Sequence, residues 1–275
     1  AHVDAINANG LRVTGASGDR CVAIHAFTDP PDVEVDLLVI AVKAAHVSES
    51  RTASFLVKSA GSVLTIQNGL GSADIVANVF GNERLIVGVA QGFGASLREP
   101  GISHHNDMKA IRMGGYSHGN SERLNSVVNV FQESGFDTQA VGNIEVVQWE
   151  KLICNVAYSG PCALTGLTVG GVLDDPILGP VSRAAAVEAW EVARKRNIPI
   201  VVDDPIAYVR DFAERMRAAK PSVLLDIEAG RRSEIDVING AVGREAMRVD
   251  AVAPVNATIT ALVRSLEERT IIEGN

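Results

Sequence analysis

The chain is poor in the features that mark several large protein classes. Its 275 residues hold three cysteines, Cys21, Cys154 and Cys162, which cannot all pair and show no ligand spacing. Neither a disulfide framework nor a zinc site is indicated, and a reducing, cytoplasmic setting is expected. Lys and Arg number 25 against 33 Asp and Glu, a net charge of −8. General nucleic-acid binding needs basic patches and is excluded. No apolar run reaches the roughly 18 residues of a membrane helix, and the opening AHVDAINANG is polar rather than a secretory h-region. The histidines make no metal-ligand pattern, and neither a nucleophile elbow nor a Cys–His pair occurs, so metal hydrolysis and acyl transfer are disfavoured. The dinucleotide signature G-x-G-x-x-G is absent too.

What is present is a well-filled core. Apolar residues make up 47% of a chain long enough for one large or two ordinary domains. VDLLVIAVKA (35–44) is almost unbroken Leu, Val and Ile, the pattern of a parallel strand buried on both faces. SVLTIQNG (62–69) and RLIVGVAQGFGA (84–95) read as further strands. Helix-compatible segments fill 44–61 and 72–80 between them. This alternation predicts a doubly wound α/β domain. Ahead of it, residues 1–9 read as a short helix stopped by Gly10, and LRVTG with CVAIHA as a weak hairpin. GISHH and KAIRMGGY read as an antiparallel pair turning at Asn106-Asp107, and 121–135 as a helix capped by Ser121. FDTQAVGN is a last strand.

From about 143 strand signals fade, and Asp175-Pro176 and Asp204-Pro205 read as helix starts. Two domains are expected: residues 1–142, α/β, and residues 143–275, all-α. The strand DLLVIAV should have neighbours on both sides, yet only a weak hairpin precedes it. A strand–helix–strand unit carrying the glycine turn is therefore expected upstream of Ala1.

In QWEKLICNVAYSG (148–160), Lys151, Asn155 and Ser159 fall on one helix face, about 6 Å apart in rise. On pattern alone a solvated lysine is the ordinary reading, and a proton donor held over a pocket is the other. Asn68 in QNGLG ends a strand, where α/β sheets bind ligands, although Asn-Gly turns are common anywhere. Lys43 ends the first strong strand and reads either as a phosphate or ribose contact or as a solvated helix-start lysine. Gly92–Ala95 (GFGA) would end the third strand, with small residues admitting a flat ring. Glu234 follows a Ser cap, where an acid ordinarily serves the helix dipole. Ser222 and Asp226 share a helix face.

Together DLLVIAVKA, QNGLG, GASLREPGISHH, WEKLICNVAY and PSVLLDIEAGRRSEIDVING resemble the ketopantoate reductase (2-dehydropantoate 2-reductase) family along nearly the whole chain. The resemblance implies a Rossmann-type domain holding NADPH and a helical domain over it. It implies reduction of 2-dehydropantoate to (R)-pantoate, a step of pantothenate biosynthesis. Lys151 would be the general acid, Asn155 and Ser222 would hold substrate hydroxyl and carboxylate groups, and Ser159 would shape the substrate wall. Asn68 would sit by nicotinamide and substrate, and Ala95 would offer its backbone to the cofactor. Glu234 would hold the nicotinamide ribose and orient the lysine, with Lys43 on the cofactor side. A small-molecule 2-oxo acid is the expected partner, and a homodimer a candidate assembly. The chain departs from the family at Ser159, where another Asn is usual, and in SGPCALTG, where P-L-T-A is common. A different branched 2-oxo acid, a 3-oxo acid, or a non-catalytic ligand-binding role are the alternatives.

Overall fold

Val63 and Leu64 are neighbours and both fully buried, yet they enter different cores, because successive strand side chains point to opposite faces. They lie on β4 (Val57–Thr65), an inner strand of a mixed sheet. The computed structural model describes residues 1–117 and 121–273. The chain gathers into two compact units. One comprises Ala1–Val42, His46–Gln67 and Ala73–Ile144, and the other Lys43–Ala45, Asn68–Ser72 and the chain from Glu145 onward.

In the first unit, α1 (His2–Asn9) ends at Gly10 (φ 78°), as expected. The sheet is built from β1 (Leu11–Gly15), β2 (Arg20–Val22), β3 (Val35–Ile40), β4, β5 (Leu85–Glu99), β6 (Ile102–Gly115) and β7 (Asp137–Ala140). Its order is β2-β1-β6-β5-β4-β3, with β7 also on β6. β3, β4 and β5 run parallel, while β5 and β6 are antiparallel. β1 and β7 share one edge of β6, the first along Ile102–His105 and the second along Ala110–Met113. Val63 packs with Ile40, Val47 and Leu85 against Val76, Ala77 and Phe80 of α2 (Ser72–Phe80). Leu64, Ile86, Ile111 and Met113 pack on the other face against Leu124, Val127 and Val128 of α3 (Glu122–Glu133). The Ser121 hydroxyl accepts the Leu124 N–H at 3.1 Å, the N-cap that the sequence predicts.

The chain differs from the sequence expectation at several points. The helix expected over 44–61 is a 3₁₀ segment, Ala44–Leu56, followed directly by β4. Its hydroxyl residues offer the backbone local alternatives, as where Thr52 Oγ1 donates to the Glu49 carbonyl. No turn forms at Asn106-Asp107. β6 runs straight through it, paired along its length with β5, and the chain reverses at Pro100-Gly101 instead, with Gly101 at φ 81°. GFGA consequently lies inside β5 rather than at its end, marked by a register shift between Gly94 and Ala95. Long-range strand pairing outweighed the local turn signal. β3 is an edge strand paired with β4 alone among the described residues, and Val39 is 42% exposed rather than buried. β2 is only three residues long.

The helical unit consists of α4 (Ile144–Thr165), α5 (Val169–Asp174), α6 (Leu178–Lys195), α7 (Pro205–Arg215), α8 (Ser222–Glu228), α9 (Asn239–Met247) and α10 (Pro254–Glu273). α4 carries Trp149, Leu152, Ile153 and Val156 into a core shared with Ala185, Ala189 and Val192 of α6, Val209 of α7 and Val263 of α10. Pro161 lies inside α4, which continues through it to Thr165. α6 begins at Leu178, later than Asp175-Pro176 suggests. Asp175 Oδ1 still accepts the Ile177 and Leu178 N–H groups at 2.9 and 2.8 Å, which hold its carboxyl below the usual range. Among the described residues no helix is long and apolar enough to cross a membrane. Asp204 Oδ1 caps α7 through the Ile206 and Ala207 N–H groups, 2.8 and 3.0 Å away. Asp204→Ala is expected to cost about 1 kcal/mol, and Asp204→Asn much less. Thermal unfolding of the two variants checks this.

Candidate active site

The ammonium of Lys151 on α4 donates to Asn68 Oδ1 at 2.8 Å. Asn68 Nδ2 in turn donates to Glu234 Oε2 at 3.3 Å, and Glu234 Oε1 accepts the Ala44 N–H at 2.9 Å. One amide thus links a cation to a carboxylate that is only 8% exposed. All of these groups belong to the second unit.

Local backbone explains why Asn68 reaches Glu234. Gly69 has φ 74°, and a Cβ there would lie 1.9 Å from the Val237 carbonyl oxygen, so only glycine fits. The following N–H, of Leu70, donates to that same oxygen at 2.9 Å. Arg244 Nη1 donates to the Asp236 carbonyl at 2.6 Å and steadies the same turn. Gln67 Nε2 bonds the carbonyls of Ile40 and Val42 at 2.8 and 3.0 Å, which fixes the stretch leading into Lys43. The Q-N-G motif is therefore a close backbone approach and not merely a turn.

Burial lowers the Lys151 pKa from 10.5 to about 8, opposed by the negative charge of Glu234, which raises it. An ammonium in this range gives up its proton more readily than a solvated lysine. Alongside, Asp226 is buried and holds two cations. Lys43 Nζ lies 2.6 Å from its Oδ2, and Arg231 Nη2 and Nε lie 3.0 and 3.2 Å from its Oδ1. The two sets of contacts meet along the chain at Lys43-Ala44, where Lys43 bonds Asp226 and the next N–H bonds Glu234.

The structure thus brings together Lys43, Asn68, Lys151 and Glu234. Asn155, one turn from Lys151, is half-buried and its side chain makes no hydrogen bond among the described residues, while Ser159 is buried. Ser222 is exposed at the start of α8, one turn before Asp226. Ala95 lies in the other unit, on β5 opposite His105. Arg231, the Ala44 N–H and the pairing of Asp226 with Lys43 escaped the sequence reading. The available signal was a lone acid on the otherwise apolar face SVLLDI. Burial pushes the Cys154 and Cys162 thiols up to about 12, which leaves them unreactive. Among the described residues no His, Cys, Asp and Glu cluster could hold a metal ion.

Glu234→Gln removes the charge that supports the Lys151 ammonium. The lysine pKa is expected to fall below about 8, as read from the pH dependence of ¹³C-methylated lysine resonances. A rise would contradict the electrostatic account.

Both halves of the chain match models of a single family. Residues 1–118 match the model "Ketopantoate reductase PanE/ApbA" and residues 143–267 "Ketopantoate reductase PanE/ApbA C terminal". The 2-dehydropantoate 2-reductase of Halobacterium salinarum is 29% identical over 265 residues, covering 96% of this chain and 87% of that protein. That of Pyrococcus horikoshii is 28% identical over 266 residues, covering 97% and 87%. Among solved structures, the PanE/ApbA family ketopantoate reductase from Ralstonia eutropha JMP134 superposes with a TM-score of 0.88 at 27% identity, over 98% of this chain and 88% of that one. D-mandelate dehydrogenase with NADH and anilino(oxo)acetate gives 0.87 at 22% identity over the same shares, a likeness of fold. Matched along both units, the chain belongs to the ketopantoate reductase family of oxidoreductases.

Proposed function

We propose that the protein reduces a 2-oxo acid at its keto carbon, most simply 2-dehydropantoate to (R)-pantoate with NADPH. The observation that carries this reading is the Lys151 ammonium, its pKa drawn to about 8 by burial and its nitrogen anchored on Asn68. A nicotinamide, when bound, supplies the hydride. Lys151 gives its proton to the alkoxide oxygen, and Glu234 stabilises the ammonium form that must be restored for the next turnover. Asn68 fixes the direction of the lysine by accepting from it while donating to Glu234. The site fits a cofactor ribose: Glu234 accepts two N–H groups, and a carboxylate has about four lone-pair sites. The Lys151 ammonium suits an anionic acid.

The remaining assignments are proposals on the same footing. Asn155 and Ser222 hold the substrate hydroxyl and carboxylate, and Ser159 shapes the wall beyond Asn155. Lys43 and Ala95 lie toward the cofactor. Among the described residues the outer edge of β3, with its exposed valine, is free to accept a further parallel strand. A second reading, another branched 2-oxo acid, is favoured by Ser159 in place of the family's usual Asn.

NADPH and NADH oxidation with 2-dehydropantoate and other branched 2-oxo acids tests the reading. The expected result is preference for 2-dehydropantoate and NADPH. No oxidation of either cofactor with any 2-oxo acid would overturn it. Lys151→Ala is expected to lose about 10²–10⁴ in kcat while cofactor affinity holds. Reduction requires protonated Lys151, so its rate should fall as pH rises through about 8. A rate flat to about pH 10, near the ordinary lysine pKa, would remove the lysine from the proton step.

A further inference from the structure

Pro161 lies inside α4, ten residues beyond Lys151 and two beyond Ser159. It has no N–H for the Ala157 carbonyl, and its ring crowds that same carbonyl. In a stretch of helix that is buried here, an unpaired carbonyl is costly. The Ala157 oxygen is nevertheless satisfied: Ser182 Oγ of α6, itself buried, donates to it at 2.5 Å. The preceding carbonyl, of Val156, accepts Asn239 Nδ2 at 3.0 Å. Asn239 is fully buried and sits five residues beyond Glu234, so the segment that carries Glu234 is fastened to α4 directly beside Asn155.

This contact is held from behind. Asn239 Nδ2 also donates to Asn256 Oδ1 at 2.9 Å, and Asn256 Nδ2 donates to Glu188 Oε2 at 2.8 Å and the Ala185 carbonyl at 2.9 Å. Glu188 accepts the Val255 and Asn256 N–H groups at 2.8 and 2.9 Å, so α6 and α10 are joined to the same network. At Gly160 a Cβ would stand 2.1 Å from Ile259 Cγ2 on α10, which rules out any larger residue without movement. Two successive carbonyls in the turn before the proline are thus taken by side chains from other helices. They lie within the stretch Asn155–Ser159, where the proposed substrate contacts are.

We propose that Ser182 and Asn239 are positioning residues that determine which 2-oxo acid side chain the enzyme accepts. They brace the turn of α4 before Pro161 and so fix Ser159 relative to Lys151 and Asn155, which lie on the unbroken helix ahead of it. A helix with a proline and no brace can bend in the turn from Ala157 to Pro161, which would move Ser159 in the substrate wall while leaving Lys151, Asn155 and the Asn68 and Glu234 partners in place. The inference rests on the reductase reading above.

The test compares kcat/KM for pyruvate and for 2-dehydropantoate in Ser182→Ala, Ser182→Thr and the double variant Pro161→Ala/Ser182→Ala. Ser182→Ala is expected to change the ratio of the two by at least about fivefold, as small misplacements of positioning groups do, with the pH limb near 8 unmoved. Ser182→Thr keeps the hydroxyl and should keep the ratio. In the double variant position 161 regains an N–H for the Ala157 carbonyl, so the ratio should move back toward the parent value. Should Ser182→Ala fail to fold, Ser182→Cys, a much weaker donor of nearly the same shape, replaces it in the comparison. A lowered Tm with an unchanged ratio would show a merely structural brace and overturn the inference, as would a double variant no closer to the parent than the single one. A parent protein that reduces no 2-oxo acid would overturn the functional reading instead, and this inference with it.

Discussion

The site depends on one amide. Asn68 accepts from Lys151 with its oxygen and donates to Glu234 with its nitrogen, so the polarity of each contact is fixed by its neighbour. An ammonium and a carboxylate in direct contact at about 4 Å attract by about 4 kcal/mol at an effective dielectric of 20. Such a pair would hold the lysine protonated far above neutrality. With an amide between them the attraction weakens, desolvation becomes the larger influence, and the pKa settles near 8. The amide also ties the lysine to a rigid place in the backbone, because Gly69 is pressed against Val237 and allows the loop little freedom. The tuning of the acid and the conformation of the glycine loop are therefore one constraint.

Much of this was legible in the sequence where the signal was local. The face Lys151–Asn155–Ser159 follows from helical spacing alone, whereas the strand read over 62–69 ends at Thr65 and leaves Asn68-Gly69 in the loop beyond it. Caps at Ser121 and Asp204 were readable for the same reason, since each is a side chain bonding its own neighbourhood. Illegible features were those settled by partners far along the chain. Asn106-Asp107 has turn chemistry, but fourteen-residue β6 pairs with β5 across it, and the sum of those ladder bonds decides the matter. Lys43 meets Asp226 across 183 residues, a pairing no spacing rule anticipates. The Ala44 N–H acts through the backbone and carries no residue identity to read.

Proline in α4 shows how such distant partners compensate a local fault. By sequence rules Gly160-Pro161 should bend the helix end, as it would in an isolated helix. Here the one carbonyl that the proline leaves open, of Ala157, finds a donor on Ser182, with Asn239 bonding the Val156 carbonyl beside it, and the helix persists to Thr165. Neither donor belongs to a recognisable motif. Each is simply a polar residue in an apolar stretch, and a buried polar residue requires a partner. That rule could have flagged both, without saying which carbonyl each would serve.

The same burial that tunes Lys151 bears on stability, with the opposite dependence on pH. Its pKa in the folded protein is about 8, against the 10.5 of a solvated lysine in the unfolded chain. Between these values the unfolded state binds more protons, so stability rises with pH through that window. Below pH 8 the lysine is charged in both states, and the folded protein bears the full cost of holding an ammonium away from water. A tenfold change in proton affinity corresponds to about 1.4 kcal/mol, so the cost is a few kcal/mol, comparable to several helix caps. The protonated lysine is the form that donates, and it is also the less stable one. The native state therefore carries this cost under the conditions in which the proposed acid is ready to act, and the Asn68–Glu234 linkage is what keeps the desolvated ammonium in place.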